Sequence, residues 1–384
     1  MTKRVCVVVN GRANYGRIKS FMRAVVAHPE LELQLIVGAS ALLNRFGNVI
    51  DIIKQDGFSP DATVYSIVEG ENPTTMAKST GLGIVELATH FETLKPNVVL
   101  TVADRFETLA TAVASSYMNI PLAHTQGGDV TGSIDESVRH AVTKLAHIHF
   151  PASKRAAEFL VRMGENKATV HLVGCPSIDL LRSIDLSMYP KELASAGVGA
   201  KIDENKPYII VLQHPVTTEY GSGLAQINQT IKAVSKLESE SIQVFWLWPN
   251  VDAGSDDISK GLRVFRENSS PDFIRFYRNF SPEDYARLLN NAACIVGNSS
   301  SALREGGYLG VPAVNIGNRQ MGRERANNVL DVPYDADQIY KAIMNQLDQG
   351  RYNPSLLLGD GTAGIQMADI LARESIVVQK RLSY

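Results

Sequence analysis

Short apolar runs alternate with amphipathic stretches along the first half of the chain. Val5–Val9 is apolar and rich in β-branched residues, and a polar turn at 10–16 separates it from an amphipathic stretch that ends at Ala27. Similar runs recur at Leu31–Val37, Asn97–Val102 and Pro121–His124, with helical patterns between them. Because parallel strands need crossovers of this length, the pattern predicts a doubly wound sheet.

A second series of apolar runs follows the mixed stretch at 182–206. These runs are Tyr208–Leu212, Val244–Leu247 and Cys294–Val296, and loop and helix signals follow each one. We therefore predict an α/β protein with two Rossmann-like doubly wound domains that face a central cleft. The predicted domains are residues 1–182 and 183–364. Because open α/β sheets bind ligands at the carboxyl ends of their strands, the chemistry is expected between the domains.

Composition narrows the classes of partner. The 384 residues are 45% apolar, which is enough for two cores, and 20% charged with a formal net charge of -2. This balance predicts neither a nucleic acid nor a membrane as partner. The three cysteines, Cys6, Cys175 and Cys294, lack the spacing of a metal knuckle or redox pair and are expected to be buried and reduced. With no signal-peptide pattern and no stretch of membrane-spanning length, the protein is expected in the cytoplasm.

Two polar segments follow predicted strands of different halves. Gly297–Ser301 comes directly after an apolar strand and before a helical run at Leu303–Leu309, so it is either a helix cap or an anion site built from free backbone amides. Glu305 lies one turn further, where it could accept hydrogen bonds from ribose or simply face solvent. Asp104 and Arg105 follow the strand that ends at Val102; the aspartate either caps the next helix or faces the cleft, where Arg105 could hold phosphate.

A dense polar stretch runs from residue 124 to residue 140. His124 and Gln126 precede the paired glycines 127 and 128, and Asp135 opens a helical pattern whose first turns also carry Glu136, Arg139 and His140. A polar loop followed by a capped helix would explain the acids but not the histidine and glutamine at the end of a buried strand. We expect a functional loop.

Histidines occur at two further places. His214 follows the strand Tyr208–Leu212, at the mouth of the second domain, where it could donate a proton or hold a leaving phosphate. His147 and His149 are spaced as on a strand without a third ligand nearby, so no metal is predicted.

Together these segments resemble the hydrolysing UDP-N-acetylglucosamine 2-epimerases of sialic-acid and legionaminic-acid biosynthesis, over nearly the whole chain. The matching motifs, in order, are GRANYG at 11–16, DR at 104–105, GG at 127–128 with GSIDESVRH at 132–140, HPVTTE at 214–219, GNSS at 297–300 and NIGNRQ at 315–320. The family is similar to glycosyltransferases of the two-Rossmann GT-B type, which implies the same cleft. It also implies that a last helix, Ile365–Lys380 within residues 365–384, packs back on the first domain.

The resemblance implies a UDP-sugar substrate and no cofactor. The diphosphate would meet Ser299 and Ser300, and the ribose would meet Glu305. The remaining expected contacts with UDP or substrate are Arg12, Ala13, Arg105, Arg139, Asn250, Arg319 and Arg323.

The family's important acids fall on Asp104 and Asp135, with His214 assisting the departure of UDP. Loss of UDP acidifies the hydrogen on carbon 2, a carboxylate removes it to give a 2-acetamidoglucal, and water adds with a proton from the other face. The family commonly has glutamate where this chain has Gln126, which cannot exchange a proton. Gln126 therefore marks a subgroup with another sugar, such as the 2,4-diacetamido sugar of the legionaminic pathway, or a weakened enzyme, or else Glu136 takes its role.

Three other functions compete with hydrolysis. A non-hydrolysing epimerase would carry a glutamine-histidine-arginine signature after the second strand, and residues 39–47 lack it. A glycosyltransferase of the same fold would need an acceptor, and a nucleotide-sugar sensor would bind without turnover. By analogy with the family, a homodimer or homotetramer is expected.

Overall fold

The first half of the chain forms one parallel sheet. The computed structural model describes residues 2–44, 47–188, 193, 196–249, 252–381 and 383. The strands of this sheet are β1 (Lys3–Val9), β2 (Leu31–Gly38), β3 (Ala62–Val64), β4 (Val98–Val102), β5 (Leu122–Thr125) and β6 (Ile148–Phe150). Their order is β3-β2-β1-β4-β5-β6. The winding reverses between β1 and β4, so the loops that follow these two strands open a crevice.

The second half repeats this order. Its strands are β7 (Val198–Gly199), β8 (Tyr208–Leu212), β9 (Gln243–Leu247), β10 (Ile274–Tyr277), β11 (Cys294–Gly297), β12 (Ala313–Ile316) and β13 (Val329–Val332). The sheet runs β13-β12-β11-β8-β9-β10-β7, with only β7 antiparallel among the described strands. Strands β8 to β13 therefore lie in the same relative order as β1 to β6. The predicted fold class, α/β with two Rossmann-like sheets, is confirmed.

Helices cover both faces of each sheet. In the first half they are α1 (Arg12–Gly16), α2 (Lys19–Ala27), α3 (Val49–Gln55), α4 (Pro73–Leu94), α5 (Phe106–Tyr117), α6 (Asp135–Leu145), α7 (Lys154–Arg162) and α8 (Pro176–Ser183). The others are α9 (Gly223–Ser235), α10 (Ser255–Ser269), α11 (Pro282–Asn291), α12 (Glu305–Leu309), α13 (Ala336–Gln349) and α14 (Ala363–Arg373). Alternate residues of a strand point to opposite faces, so Val7 joins one apolar core and Val8 the other.

Three local predictions are corrected by the structure. The polar segment after β1, predicted as a turn, coils into the short helix α1. The helical run predicted at Leu303–Leu309 begins only at Glu305, as the five-residue helix α12, and a 3-10 turn at Ser300–Ala302 precedes it. The last helix ends at Arg373 instead of Lys380, and residues 374–380 are not helical.

Helix α14 lies against α2 and α8 of the first half. Its Met367 and Leu371 are buried in the core beneath β1. The Asp179 carboxylate of α8 accepts hydrogen bonds from the backbone amides of Ala363 (3.0 Å) and Gly364 (2.6 Å), which are free at a helix N-terminus. The predicted boundary at residue 182 stays a prediction. Within the described ranges, no helix is long and apolar enough to cross a membrane.

Candidate active site

The carboxyl ends of strands from both sheets meet around one cavity of about 160 Å³ between the two halves. Its polar wall is formed by Arg12, Arg17, Asp104, Arg105, Asp135, His214, Ser299, Ser300, Ser301, Glu305 and Arg319, and Ala13 lies beside Arg12 in the lining. Its apolar wall includes Leu212, Leu247, Phe280 and Pro282. The structure thus brings together the predicted acids of the first half and the predicted serines and histidine of the second.

Asp104 does not cap the helix that follows it. Helix α5 begins after Arg105 without a side-chain cap, so the capping interpretation of Asp104 is wrong. The residue before it, Ala103, has a left-handed backbone (φ 62°), which turns the chain sharply at the end of β4. The Asp104 carboxylate forms an ion pair with the fully buried guanidinium of Arg139.

The buried side chain of His124 contacts the backbone turn at Ala103. Its Nε2 lies 2.7 Å from the carbonyl oxygen of Ala103, and its Nδ1 lies 3.3 Å from Thr143 Oγ1. A carbonyl only accepts, so Nε2 carries the proton and Nδ1 accepts from the threonine hydroxyl. Burial lowers the pKa of His124 to about 3, which keeps the ring neutral. His124 therefore fixes the backbone that presents Asp104.

Asp135 is the first residue of α6 and is half-buried on the cavity wall. Burial raises the pKa of its carboxyl, and the negative charge of Asp252 adds to this effect, while the charges of Arg319 and Arg105 oppose it. The loop before Asp135 packs closely against the second half. The Gly132 amide donates a hydrogen bond to the Arg319 carbonyl (3.1 Å). A Cβ at Gly132 would lie 1.9 Å from the Asn318 carbonyl oxygen. Only glycine fits at position 132, because any Cβ would collide with the backbone of Asn318.

A cluster of buried arginines surrounds the carboxylates of Asp104 and Asp129. Arg139 also donates to the carbonyl of Asp129 (2.8 Å), and the Asp129 carboxylate forms an ion pair with Arg304 of the second half. Arg323 Nη2 lies 3.9 Å from Asp104 and 3.8 Å from Asp129. Burial, followed by repulsion from Arg304, lowers the pKa of Arg323 to about 9. The cluster joins the halves and carries a surplus of positive charge.

His214 and the serine segment are held together by Asn298. The amide of His214 donates to Asn298 Oδ1 (2.7 Å), and Asn298 Nδ2 donates to the His214 carbonyl (2.9 Å). Burial, followed by the charges of Arg319, Arg12 and Arg105, lowers the pKa of His214 well below its ordinary value. The imidazole is therefore neutral.

Ser299 and Ser300 lie in this segment at the cavity wall. Ser299 caps the 3-10 turn by accepting from the Ser301 amide. Because α12 is only five residues long, anion binding would rest on hydroxyls, amides and arginines more than on a helix dipole. The cap is thus present in this segment, and the anion site stays a prediction.

Arg17 is a cavity residue that sequence reasoning missed. Its Nη2 donates to Ser300 Oγ (2.6 Å) across the cleft, and its Nη1 lies 3.4 Å from Gln126 Oε1. Burial and the neighbouring charge of Arg304 lower its pKa. The signal was its position directly after the GRANYG motif, which places it on the turn between α1 and α2.

Gln126 and Glu136 are not brought to the cavity. Gln126 is buried with a left-handed backbone (φ 60°), and its Nε2 lies 3.2 Å from the Cys175 sulfur. Glu136 accepts a hydrogen bond from the Thr131 amide (2.8 Å) and faces His140, so it secures the loop before α6. Neither side chain joins Asp104 and Asp135 on the wall.

The remaining predicted contacts surround the cavity mouth. Arg12 donates to the Arg278 carbonyl and to Asn279 Oδ1, each at 3.1 Å. Arg105 pairs with Asp252 (2.7 Å) and Glu107; although burial acts the other way, these carboxylates raise its pKa.

Three further predicted contacts with UDP or substrate are Arg319, Glu305 and Asn250. Arg319 donates to the Asn298 carbonyl (3.1 Å), and Glu305 Oε2 is buried without a hydrogen-bond partner among the described residues. Asn250 lies outside the described residues. In the part of the chain that the structure describes, no group of three or more His, Cys, Asp or Glu could hold a metal ion.

Comparison with known proteins identifies the family. The model of the UDP-N-acetylglucosamine 2-epimerase family matches residues 23–372. The chain belongs to this family, so it is a member of a family of enzymes that act on nucleotide sugars, and the resemblance read from the motifs is confirmed.

Individual relatives cover nearly the whole chain. The chain is 31% identical over 361 residues to the UDP-N,N'-diacetylbacillosamine 2-epimerase (hydrolyzing) of Legionella pneumophila, covering 94% of this chain and 93% of the relative. It is 29% identical over 352 residues to the UDP-N-acetylglucosamine 2-epimerase of Neisseria meningitidis, covering 91% and 89%. A crystal structure of UDP-GlcNAc 2-epimerase from N. meningitidis bound to UDP-GlcNAc aligns with a TM-score of 0.78 at 16% identity, covering 97% of this chain and all of that one.

Proposed function

We propose that the protein hydrolyses a UDP-N-acetylamino sugar, releasing UDP and the free sugar inverted at carbon 2. The observation that carries this proposal is that Asp104 and Asp135 line the same cavity as Ser299, Ser300 and His214. A pair of carboxylates beside an anion-binding segment suits a reaction in which a proton transfer at carbon accompanies departure of a phosphate.

The second half binds the nucleotide in this proposal. Ser299 and Ser300 offer hydroxyls to the diphosphate, and Arg17 and Arg319 offer guanidinium groups beside them. Glu305 Oε2 has no partner among the described residues, and a carboxylate accepts well from vicinal ribose hydroxyls. The apolar wall formed by Leu247 and Phe280 gives the uracil ring a surface to pack on.

Departure of UDP comes first because the hydrogen on carbon 2 is not acidic in the ground state. As the bond from carbon 1 to oxygen breaks, positive charge grows on the ring and negative charge on the diphosphate. The arginines and serines stabilise that negative charge, and His214, being neutral, acts as a hydrogen-bond donor to the leaving phosphate.

Asp104 and Asp135 then handle the proton. One carboxylate removes the hydrogen from carbon 2 to leave a 2-acetamidoglucal, and the other returns a proton from the opposite face as water adds to carbon 1. The raised pKa of Asp135 suits it to take up and release a proton more readily than an ordinary aspartate near neutral pH. Atoms balance: UDP leaves with its oxygen, and water supplies the new hydroxyl.

The names of the relatives support hydrolysis and suggest two substrates. One relative is named as a hydrolysing UDP-N,N'-diacetylbacillosamine 2-epimerase, and another as a UDP-N-acetylglucosamine 2-epimerase. We propose that the substrate is one of these two UDP-sugars. The product from UDP-N,N'-diacetylbacillosamine would serve the synthesis of a legionaminic-type sugar, and the product from UDP-N-acetylglucosamine would serve the synthesis of a sialic-type sugar.

The test is incubation with each UDP-sugar in deuterated water, followed by proton NMR. We expect free UDP and a free mannosamine-type sugar that carries deuterium at carbon 2. The Asp135→Asn variant serves as the matched control. A UDP-linked epimer would instead identify a non-hydrolysing epimerase, and unchanged substrate in both reactions would reject the enzymatic proposal.

A further inference from the structure

Arg17 lies beside the cluster of buried arginines but has no carboxylate partner of its own. Each arginine of the cluster forms an ion pair with an aspartate. Among the described residues, Arg17 forms no ion pair, and its guanidinium donates only to the Ser300 hydroxyl (2.6 Å) and to Oε1 of Gln126 (3.4 Å). A guanidinium that is held by neutral groups keeps its charge for an anion. Because Arg17 and Ser300 both line the cavity, the diphosphate of the proposed substrate would be that anion.

The side-chain amide of Gln126 is oriented by contacts at both of its ends. A guanidinium only donates, so the amide atom that faces Arg17 is the oxygen, and Nε2 lies 3.2 Å from the Cys175 sulfur. That sulfur also lies 3.6 Å from Nη1 of Arg304 and 3.1 Å from the Ser177 hydroxyl. Because both nitrogens donate, the sulfur accepts from them and directs its own proton to the hydroxyl. The amide oxygen of Gln126 is thereby kept towards Arg17.

The backbone of Gln126 has a conformation that residues other than glycine rarely adopt. Its φ of 60° lies in the left-handed region, directly after β5, and its amide donates to the Phe150 carbonyl (2.9 Å). The residue is only 1% exposed. A strained, buried residue at the end of a strand is typical of a functional position. Because Gln126 does not line the cavity, it can act on a ligand there only through a neighbour, and Arg17 is that neighbour.

We propose that Gln126 is a positioning residue for UDP that acts through Arg17. Its amide oxygen holds the guanidinium beside Ser300, and because an amide is neutral, the positive charge of Arg17 stays available for the diphosphate. A glutamate at this position would form an ion pair with Arg17 and cancel that charge. In this arrangement Gln126 is not a disabled acid, and the proton transfers belong to Asp104 and Asp135. The inference rests on the proposed function, because it takes UDP as the ligand.

Gln126→Glu tests whether the side chain must be neutral. We expect the dissociation constant of UDP, measured by calorimetry, to rise roughly tenfold or more, while kcat does not exceed that of wild type. Gln34→Met is the matched control, because Gln34 is a buried glutamine of β2 that donates to the Leu94 carbonyl (2.8 Å) and does not line the cavity. This control should bind UDP as wild type does. Unchanged UDP affinity in Gln126→Glu, or a higher kcat, would overturn the proposal.

A double-mutant cycle tests whether Gln126 acts through Arg17, without introducing a buried carboxylate. Gln126→Met keeps the length of the side chain but removes the amide, so UDP affinity should fall several-fold in the wild-type background. In the Arg17→Met background the same substitution should have no further effect. Thermal melting checks that each variant is folded.

The outcomes of these experiments separate the role of Gln126 from the proposed reaction. An equal loss of UDP affinity in both backgrounds of the cycle would overturn the proposal, because Gln126 would then support the fold and not the guanidinium. If wild type binds UDP with the expected dependence on Gln126 but releases no UDP from either UDP-sugar, the proposed function is refuted and the role of Gln126 stands.

Discussion

Glu165 is a buried carboxylate that ties α6 to the end of the chain. Its carboxylate accepts from His149 Nε2 (2.9 Å), Lys144 Nζ (2.7 Å) and Lys380 Nζ (2.5 Å), and the side chain is fully shielded from solvent. Burial alone would raise its pKa, but hydrogen bonds from His149, Lys144 and Lys380 outweigh burial and lower the pKa to about 2. Replacing Glu165 with glutamine should therefore destabilise the protein.

The magnitude follows from the change in proton affinity. The ordinary pKa of this carboxyl is 4.5. One pH unit corresponds to about 1.36 kcal/mol, so a fall to about 2 corresponds to about 3 kcal/mol in favour of the charged, folded form. A carboxyl with a lowered pKa contributes this stability fully above pH 4.5 and loses it as pH falls towards 2. The contribution of Glu165 should therefore be complete at pH 7 and much reduced at pH 3.

Urea unfolding of wild type and Glu165→Gln at several pH values measures this difference. We expect the variant to be less stable than wild type by about 3 kcal/mol at pH 7. This difference in the free energy of unfolding should shrink as the pH falls from 4.5 towards about 2. Glu158→Gln, at an exposed position of α7, is the matched control and should change stability by less than about 0.5 kcal/mol. Equal stability of Glu165→Gln and wild type at pH 7, or a gap that does not depend on pH, would refute the reasoning.

Three predictions concern the proposed reaction. Asp104→Asn and Asp135→Asn should each lower turnover by roughly 10³-fold or more while UDP affinity, measured by calorimetry, stays within a few-fold; loss of UDP binding would make them structural. His124→Phe removes a buried donor from the Ala103 carbonyl, so kcat should fall by roughly 10²-fold with KM nearly constant, and His124→Gln should restore part of it; equal changes in both constants would contradict a positioning role. Because the pKa of Asp135 is raised, the acid limb of the kcat/KM profile should lie above pH 3.8. Because the pKa of His214 is lowered, this histidine should contribute no limb near pH 6.5, and the His214→Asn profile should keep the shape of the wild-type profile.

The central strands of both sheets were predictable because they are buried on both faces. Val5–Val9 and Tyr208–Leu212 read as continuous apolar runs, and both are strands in the structure. Short edge strands gave no such signal: β7 has two exposed residues and β13 has one apolar side chain facing out at Leu330. Their pairing depends on neighbours that are distant in sequence, which a local pattern does not contain.

Arg12 and Arg319 of the candidate site were predicted only through the resemblance to the family, whereas the chain's own pattern best predicted those residues that follow a strand. Asp104 and His214 do so, and the winding of the sheets brings them to one edge. The placement of Gln126 was not predictable, because it faces Cys175, a residue about fifty positions away that α8 brings under the cavity. Arg304 was missed for the same reason: its partner Asp129 belongs to the other half of the chain.

The buried arginines explain why both halves are needed for the proposed expulsion of UDP. Arg304 and Arg323 come from the second half, yet they lie against Asp129 and Asp104 of the first. With Arg139 and Arg17, they place four guanidinium groups around two carboxylates, and their mutual repulsion contributes to the lowered pKa of Arg139, Arg17 and Arg323. In the proposed reaction, the negative charge that grows on the departing diphosphate would offset this surplus of positive charge behind the cavity. In the proposed reaction, the charges that hold Asp104 in place would therefore favour bond breaking at carbon 1 before proton transfer at carbon 2, which is the order that the weak acidity of that hydrogen requires.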